Sequence, residues 1–292
     1  MSMRAYTRRE LAGLTFAALT SANASPPKPN SKINGVVIGA QSYSFRDRSL
    51  DEAIQGMVDA GLSHCVLWQG HVEPRLGQGE DARRELRKWR TSVPMAEFAK
   101  IRDKFHRAGI RIHAYYYSFR ADFSDEEMAR GFEMARALGV KCLEASATVS
   151  QAKRIDTFAS KANMYVGVHN HSNLTPDEFA RPEDFEEALR GTTHIRINFD
   201  IGHFVVAGFD PVGYLERHHR KIIVLDIKDR DRDGVNHPFG KGATPIREVL
   251  QLMQRRKYNI PAMIEYEYKG TDTVAEVKRC YDYCRAVLAP AR

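Results

Sequence analysis

The chain has 292 residues, 43% of them hydrophobic and 28% charged, with a formal net charge of +7. This is ordinary globular composition, with room for one large α/β domain or two small ones. Four cysteines are too few to frame a disulfide-built fold of this length, and none shows the paired spacing of a zinc cluster.

The first stretch stands apart from the fold. Arg8 and Arg9 precede an apolar run from Leu11 to Leu19, and Ala22-Asn23-Ala24 offers a small-x-small cleavage point. The pattern resembles a twin-arginine export signal over residues 1–24, followed by a Pro-rich linker over 25–34 and a barrel domain over 35–292. The apolar run is too short for stable membrane insertion. The expected location is therefore periplasmic or otherwise exported. Removing the leader takes Arg4, Arg8, Arg9 and Glu10 away, so +7 becomes +5. The remaining excess lies in runs such as Arg83 to Arg90 and Arg255 to Lys257, read as solvated helix faces rather than a nucleic-acid surface.

From there, strand-like and helix-like patterns alternate. Val36 to Tyr43 is a first strand, and Ser49-Leu50-Asp51-Glu52 is a capping box opening a helix that ends at Gly61. Ser63 to Trp68 is the second strand and Pro94 to His106 a helix, with Phe98, Ile101 and Phe105 on one face. Ile110 to Tyr117 is the third strand, and Ser124-Asp125-Glu126-Glu127 opens the next helix. Five more strands follow: Val140 to Ala145, Tyr165 to Asn170, His194 to Phe199, Ile222 to Asp226 and Ala262 to Tyr266. A helix around Lys153 to Ser160 and another over Val274 to Val287 lie among them. Cys65 and Cys142 fall in strands as small core residues, and Cys280 and Cys284 share a helix face. Continuous apolar runs such as Ile222 to Leu225 suit a parallel sheet buried on both faces. Eight such units predict a single-domain α/β fold, the (β/α)8 or TIM barrel, over an open doubly wound sheet that would want a glycine-rich phosphate loop.

In a (β/α)8 barrel the active site lies at the C-terminal ends of the strands. Four carboxylates, Glu144, Asp200, Asp226 and Glu265, follow apolar runs at corresponding points. Gathered in one pocket they repel one another unless a cation neutralises them, and oxygen ligands favour Mn2+ or Mg2+ over softer metals, with Zn2+ as the further option. Asp200 is alternatively a cap for the turn that follows it. Lys228, two residues after Asp226, faces the same side and is the alternative neutralising charge. His169 and His171 share a face, as do Glu265 and Glu267, and His203 lies one turn past Asp200. Gly240-Lys241-Gly242 is read as a tight loop.

These strand ends resemble the xylose isomerase-like barrel superfamily, and within it the sugar phosphate isomerase/epimerase branch. The resemblance rests on Asn170-His171, Asp200-Ile201-Gly202-His203, Ile227-Lys228-Asp229 and Ile264-Glu265-Tyr266-Glu267, in that order. It implies a metal held by a glutamate, an aspartate, a histidine and a second glutamate. By motif Glu144, Asp200 and Glu265 match three of these, while the histidine position holds Asp226. His203 matches a substrate-contacting histidine and Lys228 the lysine of a His-x-Lys-Asp segment.

The expected reaction follows. A divalent metal at Glu144, Asp200, Asp226 and Glu265 polarises a carbohydrate substrate, Glu144 or Glu265 removes a proton next to its carbonyl, and His203 or Lys228 steadies the developing charge. His169, His171 and Glu267 are expected to bind substrate. Returning the proton gives epimerisation or isomerisation; losing a β-substituent makes the protein a lyase or dehydratase. An exported protein meets free or keto-sugars and glycosides rather than sugar phosphates. A hydrolase using the same metal and a non-catalytic sugar-binding barrel are the other readings. Homo-oligomerisation is left open.

Overall fold

The computed structural model describes residues 28–290. The export leader expected over residues 1–24 lies outside the described residues. Eight parallel strands form the barrel: β1 (Val36–Gln41), β2 (His64–Trp68), β3 (Arg111–Tyr116), β4 (Cys142–Ala145), β5 (Tyr165–His169), β6 (Ile195–Asp200), β7 (Ile222–Ile227) and β8 (Ala262–Ile264). Each pairs with the next, and β8 pairs back onto β1, closing the sheet. A short antiparallel strand, Lys32–Ile33, leads into β1.

The helices are α1 (Leu50–Ala60), α2 (Glu80–Ser92), α3 (Met95–Arg107), α4 (Asp125–Ala137), α5 (Ala152–Ala162), α6 (Pro182–Leu189), α7 (Ile201–Val206), α8 (Pro211–His218), α9 (Ile246–Arg256) and α10 (Thr273–Leu288). Both expected capping boxes form, at Ser49 with Glu52 and at Ser124 with Glu127. Each pairs a hydroxyl and a carboxylate with backbone N–H groups that the helix leaves unpartnered. Gly61 ends α1 in the left-handed conformation that glycine adopts without a Cβ clash.

Two apolar layers follow from the alternation of the strands. Outward residues such as Leu67, Tyr115, Val166 and Leu225 pack under the helices. Inward residues Val66, Ala114, Val224 and Met263 form a small separate cluster that fills the barrel below the rim. That plug is the floor on which the polar residues at the strand ends stand.

The strand ends differ from the sequence reading in ways that matter. β6 and β7 each run one residue further, to Asp200 and Ile227, so Asp200 and Asp226 become direct neighbours in register. β8 stops at Ile264, yet Glu265 N–H still donates to the Ile227 carbonyl at 3.0 Å. The arginine run of 83–90 forms α2, an extra helix between β2 and α3 that the strand-helix alternation does not call for.

Candidate active site

The rim residues enclose a cavity of about 490 Å3. Tyr43, Trp68 and Tyr116 supply aromatic wall, with the Tyr43 and Trp68 rings edge-on at 5.1 Å between centroids. The polar part of the wall is His169, His171, His203, Asp226, Lys228, Glu265 and Glu267, so every inward group expected on β5, β7 and β8 does face the cavity.

Carboxylate oxygens of Asp200, Asp226 and Glu265 all lie within 4.8 Å of one another, and one atom each of His169, Asp200 and His203 meets the same limit. Asp200 is fully buried and serves two purposes. One carboxylate oxygen caps α7, accepting the His203 N–H at 2.7 Å, while Oδ2 is left without a hydrogen bond. The alternatives of cap and ligand are thus both available to one side chain. Gly202 makes this close entry into α7 feasible: a Cβ there would stand 2.6 Å from Lys228 Cγ and 2.7 Å from the Lys228 carbonyl oxygen.

Lys228 is the charge that balances the carboxylates. Its buried ammonium lies 3.2 Å from Asp200 Oδ2, 3.0 Å from Glu265 Oε2 and 2.8 Å from Glu267 Oε2. Glu267 accepts a well-formed hydrogen bond, whereas Asp200 Oδ2 and Glu265 Oε2 stay close but unaligned. Burial opposes the charged lysine, but Asp200, Glu265 and Glu267 outweigh it and hold its pKa well above the ordinary value. Glu265 is raised as well, by burial, up to about 8, against the pull of Lys228 and with help from Glu267, Asp200 and Asp226.

Asp226 is gripped from both sides. Gln41 donates to its Oδ1 at 2.8 Å and Asn198 to its Oδ2 at 2.8 Å. The Asn198 carbonyl oxygen faces His169 Nδ1 at 2.7 Å, which fixes that nitrogen as a donor, so Nε2 can accept only when the ring is neutral. His169 Nδ1 is also 3.4 Å from Asp226 Oδ2. Burial disfavours its charge, yet Asp226, Asp200 and Glu265 outweigh that and lift its pKa to about 9.

Glu144 stands apart from both metal-capable groups and is not part of the cavity wall. It is fully buried beneath Gln41, whose amide donates to its Oε2 at 2.7 Å, and its Oε1 has no hydrogen-bond partner. Burial and then Asp226 push its pKa well above the carboxylate range. The motif match for the first glutamate therefore places Glu144 behind the site, and the strand adjoining Asp200 presents His169 instead.

His203 is hemmed in by cations, with Lys228 Nζ 3.1 Å from Nε2 and Arg230 Nη1 2.7 Å from Nδ1. Burial, Lys228, His169 and Arg230 all keep it neutral. His171 lies beside Ser146, 3.3 Å from Nε2 to Oγ, and burial with His169 and Lys228 lowers its pKa to about 3. Gly240, Lys241 and Gly242 form the expected tight loop. Their N–H groups converge on Asp229 Oδ2 at 2.7, 3.1 and 3.0 Å, so the chain's own carboxylate fills the cradle a phosphate would use.

Sequence reasoning passed over Gln41, Asn198 and Arg230. Asn198 and Arg230 had a signal, lying two residues from Asp200 and Lys228 on the same face; Gln41 had a weaker one, two residues before the expected strand end at Tyr43.

A family model described as xylose isomerase-like TIM barrel matches residues 85–284. No match was found among curated proteins. Solved structures with the same fold include a 3-keto-D-glucoside 4-epimerase from E. coli, 11% identical, covering 86% of this chain and 99% of its own, with a TM-score of 0.66. A sugar phosphate isomerase/epimerase from Parabacteroides distasonis is 17% identical, over 88% of this chain and 97% of its own, with a TM-score of 0.62. A probable 3-DHS dehydratase from Bacillus anthracis is 16% identical, over 85% and 98%, with a TM-score of 0.61. With the rim architecture and the matched span taken together, the chain belongs to the xylose isomerase-like TIM barrel family.

Proposed function

We propose that the protein is a divalent-metal-dependent isomerase or epimerase acting on a sugar or keto-sugar by removing a proton next to a carbonyl. The observation that carries this reading is the convergence of Asp200, Asp226 and Glu265 within 4.8 Å, Asp226 and Glu265 on the cavity wall and fully buried Asp200 just behind it, with Lys228 as the positive charge between Asp200 and Glu265. The donors fit a metal ion. Asp200 Oδ2 and Glu265 Oε2, which the Lys228 ammonium neutralises at 3.2 and 3.0 Å, a doubly oriented third carboxylate and His169 Nε2 once deprotonated make a hard, mostly oxygen set suited to Mn2+ or Mg2+, with the histidine also admitting Zn2+. When bound, such an ion supplies Lewis-acid polarisation of a carbonyl and acidifies the neighbouring C–H.

The side chains do the rest. Glu265 is 12% exposed and reaches the cavity, so it is the carboxylate suited to take the proton. Lys228 and His203, 3.1 Å apart, stand where a developing oxyanion needs positive charge or a hydrogen-bond donor. Gln41 and Asn198 hold Asp226 still, and Glu144 acts through Gln41 as a positioning residue. The aromatic wall of Tyr43, Trp68 and Tyr116 suits the apolar face of a sugar ring and sheds water from the reacting carbon. The Asp229-filled loop gives no phosphate cradle at that position, which agrees with free or keto-sugars as substrates. An exported setting, where such sugars are met, is part of the same proposal.

Incubating the protein with a panel of keto-sugars in D2O, and following C–H exchange by NMR, tests this reading. Exchange at the carbon beside the carbonyl, abolished by chelation and in Glu265→Gln, is expected. A β-elimination product would redirect the chemistry to a lyase. Absence of exchange and of product with every divalent ion added would overturn it.

A further inference from the structure

The arginine run noticed in the sequence has a place in the structure that the reaction does not use. α2 and the segment after β3 enclose a second cavity, about 370 Å3, on the same rim of the barrel. Four arginines line it, Arg83, Arg87, Arg90 and Arg120, against two carboxylates, Asp122 and Glu127.

Their charges are not equally committed. Buried Arg90 grips Glu73 with two hydrogen bonds at 2.7 and 2.9 Å and stacks over Phe123, 4.6 Å from the ring centre. Arg87 pairs with buried Glu127 at 2.8 Å. These two fix the cleft's floor. Arg120 is held only by Asp122, a 3.2 Å pair with both side chains more than half exposed, which solvent makes weak. Arg83 has no carboxylate partner among the described residues. Arg83 and Arg120 also line the next hollow outward, about 380 Å3, so they stand at a junction rather than on a convex surface.

The cleft adjoins the reaction cavity. Ser146 lines the cleft, and its hydroxyl touches His171 and Tyr116 of the cavity wall.

We propose that this cleft is an anion subsite, in which Arg83 and Arg120 bind a carboxylate or phosphate carried by a second unit of the substrate, beyond the reacting sugar. Guanidinium groups suit both anions through paired N–H donors. The proposal rests on the reading of the main cavity as a sugar site, and it narrows the substrate to acidic two-unit carbohydrates.

Equilibrium binding to the full chain tests it without turnover. The probes are a glucose disaccharide whose second unit is glucuronate and one whose second unit carries a 6-phosphate, each compared with the neutral disaccharide, by calorimetry at low and high salt. The acidic disaccharides are expected to bind at least roughly tenfold more tightly than the neutral one, with the advantage shrinking in salt and lost in Arg83→Ala/Arg120→Ala. Whichever acidic sugar binds more tightly identifies the anion. Arg83→Glu/Arg120→Glu should reverse the preference, and circular dichroism confirms that both variants are folded. Equal affinity for acidic and neutral sugars, or a preference that survives in both variants, would overturn the proposal. Because no reaction is read, failure of the proton-exchange experiment leaves this result standing, and the converse also holds.

Discussion

Lys228→Met removes the one ammonium group lying among Asp200, Glu265 and Glu267 at 3.2, 3.0 and 2.8 Å. Methionine keeps much of the side-chain volume, so the main effect is electrostatic. Removing one partner of a buried ion pair typically costs about 3–5 kcal/mol, because the other charge is left uncompensated. For a domain of this size each kcal/mol lowers Tm by about 2–4 °C, so the metal-free variant should melt roughly 6–20 °C below the parent protein. A divalent ion drawn to the same Asp200 and Glu265 oxygens no longer competes with the ammonium. Its stabilisation, which grows as RT ln(1 + [L]/Kd), should then be larger in the variant than in the parent. Thermal melts with EDTA and with a Mn2+ series, plus calorimetric Kd values, read both effects. Tighter Mn2+ binding in Lys228→Met, by about tenfold or more, is expected. A variant that melts like the parent without metal, or gains no more from Mn2+ than the parent does, would refute the reasoning.

Other consequences can be checked in parallel. In metal-free protein, His169 at about 9 and Glu265 at about 8 both bind protons more tightly folded than unfolded, so their stabilisation is lost as pH rises through those values. His113 at about 4 and His171 at about 3 work in the opposite sense, losing stability as pH falls below about 6.5. Melts across this range should therefore show stability falling from neutral pH toward 9; His169→Asn should flatten the alkaline fall, and a flat parent profile would contradict it. Gly202→Ala should destabilise by about 1–3 kcal/mol despite alanine's better helix propensity, since the added Cβ would press on Lys228; chemical denaturation reads the sign. Asp229→Ala strips the acceptor from the N–H groups of Gly240, Lys241 and Gly242, and limited proteolysis should then cut near that loop first.

The fold was legible because its signals are local and repeated: alternation of strand and helix patterns, two capping boxes, and apolar runs ending in charge. All eight strands appear where the pattern puts them, within a few residues at the ends. Much of the site was legible for the same reason, since a residue two beyond another on a strand faces the same way. That logic brings His169, Asp226, Lys228 and Glu265 to one cavity.

What sequence could not give is which inward residue lies deeper. Glu144 and His169 both sit near strand ends, but Gln41 from the opposite side of the closure covers Glu144 and leaves His169 open. Covering depends on a contact between residues 103 positions apart, which no local pattern encodes. The role of α2 was hidden likewise. The arginine-rich helix is largely the solvated face the sequence suggests, and only Arg90 turns inward to be buried, which the sequence pattern does not mark.

The most direct test of the central claim is the metal content of protein purified without chelator, measured by mass spectrometry for the parent, Glu265→Gln and Glu144→Gln. The account predicts about one divalent ion per chain in the parent and in Glu144→Gln, and none retained in Glu265→Gln. Metal retained in Glu265→Gln, or a parent chain that neither carries nor is stabilised by any divalent ion, would contradict it.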